Sequence, residues 1–427
     1  DRLEMQVRMP QPAILLLEIH EISSGYYVAA KAPDGVQTAL QSFVLPFELS
    51  LLPYNRHSIK AWLLEATSLI KSTVSVASTE ESRINAPQEE QATIVRGESG
   101  RSFGQALFDA LITGEVARVY RSAQDRIGPA MALRLVVPPS LAAVPWELLY
   151  DRERQQYIAV SSGLTRLPIL LSPLQLEAVS RPLRLLVVLA SPQNLPPINS
   201  ERELNLIEAA LGELRTRGEL AFDVISGPDT FRQLRQKLRE PFHILHFVSH
   251  GVTEGDSGAL VLEDAEGMSQ IVPAANLQRR LESQASHIRL VTLNACQSAQ
   301  TQGDPLGSVA AALVRAGVPA TLAMQFDLDD QVGIELTREF YGALAEGATL
   351  NQALTGARQA LSLRDLNSFD WAVPVLFLRS DDVALFTTIT TENNPVIASQ
   401  TATPPDEDVT SLGVDELGFQ ADLAEET

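Results

Sequence analysis

The sequence predicts an α/β protein in which a mainly parallel sheet is flanked by helices and preceded by a small α+β N-terminal domain. From residue 183 onward, short apolar runs alternate with segments of helical periodicity, the pattern of crossover units in a parallel sheet. Before that point, residues 1–77 combine three strand-like runs with one helical segment. A chain of 427 residues, 45% of them hydrophobic and 20% charged, is long enough for two or three domains with a large core.

The N-terminal strands are predicted at residues 13–19, 26–31 and 37–45. Turn residues separate them, so they form an antiparallel meander. Residues 50–73 are predicted to be helical, with Trp62 on an apolar stripe. Residues 78–100 are largely polar and contain proline and glycine, so we interpret them as a loop or linker.

Residues 101–181 are predicted to form an α+β subdomain of their own. Ser102 is placed to N-cap a helix, and residues 132–138 read as a strand that Pro138 and Pro139 end. Further on, Trp146 follows a proline and precedes Glu147. We interpret Trp146 as a packing anchor and Glu147 as the partner of a backbone or basic group.

Residues 182–385 contain the predicted main sheet. Its strands are predicted at residues 183–190, 220–225, 242–250, 288–296, 320–326 and 373–378, with helices at 200–216, 230–239, 274–283, 306–316, 330–345 and 350–363. Residues 258–262 and 268–272 are predicted to form a hairpin at the rim of this sheet. Residues 386–427 are rich in acidic and polar residues and are predicted to be a disordered tail.

Composition excludes several classes of function. The net charge of −20 repels phosphate backbones, which argues against nucleic acid as a direct partner. No apolar run approaches the roughly 20 residues of a membrane span, and the N-terminus lacks a secretion signal. A single cysteine fits a reducing cytoplasm, and the scattered histidines give no zinc-binding spacing. No glycine-rich phosphate-binding loop occurs, so no cofactor is predicted. The Gly-x-Ser-x-Gly motif that holds the nucleophile of serine hydrolases is also absent from the sequence.

The single cysteine, Cys296, and a histidine, His250, each follow a buried apolar run. If the two strands are parallel neighbours, both side chains emerge at one rim of the sheet, where ligands of α/β proteins collect. His250 could then act as the base for the thiol, and the N–H groups of Gly251 and Cys296 could stabilise an oxyanion. A buried structural cysteine beside a core histidine explains the same residues, and the pair alone leaves both interpretations open.

Motifs around these residues resemble those of CHAT domains, which are similar to caspases, separases and gingipains. The resemblance rests on His246-Phe247-Val248-Ser249-His250-Gly251, Leu293-Asn294-Ala295-Cys296-Gln297-Ser298 and the later stretches Gly303-Asp304-Pro305, Met324-Gln325-Phe326 and Trp371-Ala372-Val373-Pro374. It implies a caspase-like three-layer α/β/α sandwich and a cysteine endopeptidase with a His250–Cys296 dyad. It also implies bacterial signalling, defence or cell death under a sensor or repeat-domain partner. An inactive interaction module on the same fold is the alternative.

The resemblance also implies where the substrate residue before the scissile bond is held, because relatives use the end of the strand after the nucleophile strand. Asp327 and Asp330 lie there, and a carboxylate would pair with a basic side chain of the protein substrate. An aspartate before an apolar-periodic segment is also a typical N-cap, and Asp330 is predicted to cap the helix that runs to Ala345. Asp327 is the more exposed candidate for substrate.

Overall fold

The computed structural model describes residues 13–51, 58–70, 88–167, 182–254, 257–282, 284, 286–294 and 305–379. The predicted nucleophile Cys296 and the predicted tail at residues 386–427 lie outside these ranges. Everything described belongs to one compact unit.

The strands are β1 (Ile14–Ile22), β2 (Gly25–Lys31), β3 (Gln41–Phe43), β4 (Ala132–Val136), β5 (Tyr150–Asp151), β6 (Gln156–Tyr157), β7 (Leu164–Leu167), β8 (Leu183–Leu189), β9 (Leu220–Ile225), β10 (Ile244–Val248), β11 (His250–Glu254), β12 (Ser257–Glu263), β13 (Ser269–Pro273), β14 (Leu290–Asn294), β15 (Ala320–Met324) and β16 (Pro374–Leu378). The α-helices are α1 (Ile59–Ile70), α2 (Gln88–Leu111), α3 (Gly114–Ile127), α4 (Ile158–Ser161), α5 (Ser200–Thr216), α6 (Thr230–Lys237), α7 (Ala274–Glu282), α8 (Pro305–Arg315), α9 (Asp330–Ala345) and α10 (Leu350–Arg364).

One eleven-stranded sheet forms the centre of the molecule, in the order β3-β2-β1-β4-β7-β16-β15-β14-β10-β8-β9. Its ladders are parallel except in the β1–β2–β3 meander and between β15 and β16. Every residue of β10, β15 and β16 is buried, as expected for strands that helices cover on both faces. The predicted α/β class, the mainly parallel sheet and the N-terminal meander are confirmed.

Helices form a layer on each face of this sheet. On one face, α9 contacts both α5 and α10, and on the other α7 contacts α8. The N-termini of two of these helices have side-chain caps: Asn199 accepts from the backbone N–H of Arg202 at 3.2 Å in α5, and Thr349 forms a capping box with Gln352 in α10. These caps fix where the helices begin relative to the carboxyl ends of the strands.

The N-terminal strands are part of the same sheet as the predicted core. β1 pairs in parallel with β4, and β4 pairs with β7, which in turn lies beside β16. The predicted small N-terminal domain and the predicted main sheet unit therefore share one continuous sheet, with β16 paired on both sides.

The predicted linker at residues 78–100 is wrong over its second part. α2 already begins at Gln88, so residues 88–100 are helical and Ser102 lies within the helix instead of capping it. The reason is close packing: a Cβ at Gly100 would overlap the ring of Phe369, and one at Gly104 would overlap the carbonyl oxygen of Leu148. These glycines let a helix approach its neighbours. Residues 78–87 lie outside the described part of the chain.

A second sheet of three antiparallel strands, β11-β12-β13, lies at the rim of the main one. The predicted hairpin is confirmed as β12 and β13. The third strand was not predicted: after β10 ends at Val248, the chain enters β11 at His250. His250 therefore lies in an ordered strand and not in a loop.

Glu147 and Arg166, both in the predicted subdomain at residues 101–181, form a buried ion pair. Arg166 donates through Nε to Glu147 Oε1 at 3.0 Å and through a second nitrogen to Oε2. Gln325, just after β15, donates to Glu147 Oε2 at 2.9 Å and to the carbonyl of Ala372 at 2.8 Å. All three side chains are buried, as is Trp146. The predicted roles of Trp146 and Glu147 are confirmed. Removing one charge alone would leave the other buried and unpaired, at a cost of about 3–5 kcal/mol.

Two further features bear on function. Among the described residues, no helix is long and apolar enough to cross a membrane. Within the same ranges, no three His, Cys, Asp or Glu side chains lie together as metal ligands would.

His246, in the middle of β10, is buried, and burial lowers its pKa to about 3. Its Nδ1 lies 3.0 Å from the hydroxyl of Tyr341, and its Nε2 lies 3.9 Å from Glu203 Oε1. At neutral pH the ring is uncharged, so the contact with Glu203 is not an ion pair. In the unfolded chain a histidine titrates at about 6.5, so below that pH protons bind the unfolded state preferentially.

We expect His246 to make the protein less stable as pH falls from about 6.5 toward 3. Its contribution to the slope is at most about 1.4 kcal/mol per pH unit. His246→Gln should therefore reduce the loss in free energy of unfolding between pH 6.5 and 4.5, measured by chemical denaturation. His20→Gln, which changes a half-exposed histidine, is the control. Equal slopes in wild type and His246→Gln would contradict the assignment.

Candidate active site

The two strands that lead to the predicted dyad are parallel neighbours. β10 pairs with β14 so that Val248 lies level with Asn294, and the N–H of Ser249 donates to the carbonyl of Asn294 at 3.3 Å. The condition on which the predicted dyad depended, that these two strands are parallel neighbours, is therefore met. His250 lies two residues beyond Val248, and in sequence Cys296 lies two residues beyond Asn294. The distance between the two side chains stays a prediction, because Cys296 is outside the described residues.

His250 is almost completely buried, with 4% of its surface exposed. Its Nε2 lies 2.9 Å from the carbonyl oxygen of Pro196, in the connection between β8 and α5. A carbonyl oxygen can only accept, so Nε2 carries the proton and donates it. In the neutral ring, Nδ1 is then the nitrogen with a lone pair, and it has no hydrogen-bond partner in the part of the chain that the structure describes.

The resulting histidine is oriented at one nitrogen and able to accept a proton at the other. Pro196 was not predicted as part of the site. No residue type marks a backbone carbonyl in advance.

Gly251 is buried and is the second residue of β11, level with Leu260 of β12. Its strand position places its backbone directly after the candidate base. Donation by its N–H to an oxyanion remains a prediction.

Below the edge of the sheet, a cluster of polar side chains connects β10 and β14 to α5 and α9. Asn294 Nδ2 donates to Glu203 Oε1 of α5 at 2.6 Å. The Tyr341 hydroxyl of α9 lies 3.0 Å from Thr292 Oγ1 and 3.0 Å from His246 Nδ1. His246 and Thr292 are partners in the β10–β14 register, so one hydroxyl touches both strands at the same level. Sequence reasoning did not single out Glu203, Thr292 or Tyr341.

A cleft opens between the N-terminal ends of α5 and α9, next to the strand ends. Its walls combine polar and apolar side chains, namely Ile198, Asn199, Arg202, Glu203, Leu206, Val248, Ser249, Asn294, Leu328, Asp329 and Gly333. Ser249 directly precedes His250, so the cleft adjoins the candidate base.

The predicted cap at Asp330 is wrong by one residue. Asp329 is the N-cap of α9: its backbone is extended, and its carboxylate accepts from the N–H of Gln331 at 2.9 Å. Asp330 is the first helical residue. Asp327 is half-buried in the segment between β15 and α9. Asp329 lines the cleft.

Carboxylates near this edge influence one another. Burial raises the pKa of Asp370, the Lys60 ammonium 3.8 Å away lowers it, and the charges of Asp329 and Asp365 raise it further. The cleft itself carries both signs of charge, because Arg202 lines it together with Glu203 and Asp329.

Comparison with known families and solved structures identifies the family of this chain. Residues 101–378 match the family model of the CHAT domain. No curated protein matches the chain. Among solved structures, the chain is similar to Saccharomyces cerevisiae separase in its complex with securin, at 12% identity and a TM-score of 0.41, over 86% of this chain and 30% of that one.

Two other solved structures are similar at the level of the fold. The Arg-specific cysteine proteinase gingipain R (RgpB), from Porphyromonas gingivalis, has 10% identity and a TM-score of 0.41, over 64% of this chain and 69% of that chain. The Drosophila initiator caspase Dronc has 10% identity and a TM-score of 0.33, over 47% of this chain and 82% of that chain. This chain thus spans 30% of the separase chain that it matches. The CHAT match covers more than half of the chain, which therefore belongs to the CHAT domain family.

Proposed function

We propose that the chain is a caspase-like cysteine endopeptidase that cleaves protein substrates with Cys296 as nucleophile and His250 as base. The observation that carries the proposal is the state of His250, whose Nε2 is held by Pro196 while Nδ1 is buried without a partner among the described residues. That nitrogen keeps a lone pair that can take a proton from a thiol. The parallel β10–β14 register supports a position for Cys296 beside it.

The proposed reaction begins with transfer of the Cys296 proton to Nδ1 of His250. The thiolate then attacks the scissile carbonyl, and the N–H groups of Gly251 and Cys296 donate to the oxyanion. Collapse of the tetrahedral intermediate breaks the C–N bond, and the imidazolium protonates the leaving amine. Water, deprotonated by the same imidazole, hydrolyses the thioester. The Pro196 carbonyl stabilises the positive ring by accepting from Nε2 in both half-reactions.

The proposed substrate carries a basic residue before the scissile bond. Asp329 in the cleft, with the predicted binding residues Asp327 and Asp330 in the same segment, would face a guanidinium or ammonium group. Apolar walls at Ile198 and Leu328 would contact the aliphatic part of that side chain. The proposal includes a cytoplasmic role in bacterial signalling, defence or cell death, under a sensor or repeat-domain partner, as membership of this family suggests.

Cys296→Ala is expected to lower kcat/KM for a peptide substrate by on the order of 10³-fold or more, because it removes the nucleophile. His250→Ala should cost a comparable factor, since the two groups act as a unit. Turnover of a fluorogenic peptide library by the purified chain measures both, with His20→Ala as the histidine control and thermal unfolding as the check on folding. Undiminished turnover in a folded Cys296→Ala protein would rule out the peptidase assignment.

The same library should show preference for Arg or Lys before the cut. Asp327→Asn and Asp330→Asn are each expected to reduce that preference. For a carboxylate that contacts the guanidinium the reduction should be about tenfold, because the loss of a charge-assisted hydrogen bond has roughly that effect. Asp109→Asn, in α2, is a charge-matched control. A profile that prefers apolar or acidic residues and is unchanged in both variants would contradict this specificity.

A further inference from the structure

One connecting segment contacts both His250 and Asn294, the residues at which two neighbouring strands lead to the candidate site. It comprises residues 190–203, from the end of β8 through the first turn of α5, and is called here the β8–α5 connection. Through the Pro196 carbonyl it holds His250, and through the Glu203 carboxylate it holds Asn294.

The β8–α5 connection is itself anchored along its length. The N–H of Ser191 donates to Glu263 Oε1 at 2.8 Å, and Ser191 Oγ accepts from the N–H of Ile198 at 3.0 Å. Asn194 exchanges two hydrogen bonds of 2.9 Å with Ser269 of β13. A segment fixed at several points can position other groups, because its own freedom is already removed.

Asn294 is held at both its main chain and its side chain. Its carbonyl accepts from the N–H of Ser249 at 3.3 Å, and its side chain donates to Glu203 at 2.6 Å. The side chain of Glu203 is only 15% exposed, so this charge-assisted bond is little weakened by water. The two bonds fix the end of β14 relative to α5 and to Ser249, the residue before His250.

From this arrangement we infer that Glu203 is a positioning residue for the proposed reaction, acting through Asn294. This inference rests on the proposed function, in which the nucleophile follows Asn294 by two residues. Glu203 sets the direction in which the chain leaves β14, and so the approach of the nucleophile to Nδ1 of His250. Displacement of a reacting group by about 1 Å can cost on the order of 10²-fold in rate.

Glu203 also borders the cleft, so its charge could instead bind substrate. The two roles respond differently to substitution. Gln at this position keeps an oxygen that accepts from Asn294 but loses the charge, whereas Ala loses both. Glu201 lies in the same turn of α5 and is exposed, so Glu201→Ala matches the change in charge without removing the contact with Asn294.

Glu203→Ala is expected to lower kcat about 10- to 100-fold with KM changed less than about threefold, because positioning and not binding is lost. Glu203→Gln should recover most of that kcat, and Glu201→Ala should resemble wild type. The double variant Glu203→Ala, Asn294→Ala should be slower than Asn294→Ala by a smaller factor than Glu203→Ala is slower than wild type, since the two single variants share one contact. Peptide kinetics on the full chain measure these effects.

Hydrogen exchange across β14 provides a readout that needs no activity. Glu203→Ala should exchange faster there than wild type, and Glu203→Gln and Glu201→Ala should not. A Glu203→Gln protein as slow as Glu203→Ala, with raised KM, would overturn the inference in favour of substrate binding; unchanged kcat or unchanged β14 exchange in Glu203→Ala would also overturn it. If wild type cleaves nothing, the proposed function fails, and exchange alone decides whether Glu203 fixes β14.

Discussion

The parallel register between β10 and β14 is the constraint on which the candidate site depends. Side chains alternate between the faces of a sheet, so a slip of one residue would move His246 and Thr292 away from α9. The Tyr341 hydroxyl, 3.0 Å from each, makes such a slip costly because it would leave buried polar groups without partners. The same register puts Val248 level with Asn294, so the two chains leave the sheet side by side.

Strands β10 and β14 are supported, through β15 and β16, by β7, which belongs to the predicted subdomain at residues 101–181. β16 is paired with β15 on one side and β7 on the other, and Arg166 of β7 binds Glu147 and Gln325 together. Gln325 begins the segment that leads to the cleft. The residues before the main sheet unit therefore complete its architecture, and the hydrogen bonds of Gln325 connect the buried ion pair to the segment that borders the cleft.

The sequence was a good guide wherever burial alone sets the structure. Strands that are covered on both faces read as continuous apolar runs, and for this reason β8, β10 and β16 lie within a residue or two of their predicted positions. Trp146 and Glu147 were also identified, because a tryptophan and a carboxylate after a proline rarely lie together without a packing role. Helix α5 begins and ends at its predicted residues, and Asn199 caps its N-terminus.

The failures have physical causes that a single sequence does not display. Residues 88–100 read as a linker because glycine signals turns, whereas here Gly100 permits a helix to touch Phe369. Asp329 and Asp330 are both acceptable caps, and only the extended backbone of Asp329 decides between them. The contacts of His250 with Pro196 and of Asn294 with Glu203 join residues far apart in sequence, and one of them uses a main-chain carbonyl that any residue could supply.

The central claim, that His250 activates Cys296, is tested most directly by the pH dependence of thiol alkylation. Because the chain has one cysteine, iodoacetamide labelling followed by mass spectrometry reports on Cys296 alone. The account predicts that wild type is labelled at pH 6–7 faster than a free cysteine, whose thiol titrates at about 8.5, and that His250→Ala loses this excess. A wild-type rate that rises only near pH 8.5, no faster than free cysteine and unchanged in His250→Ala, would contradict the claim.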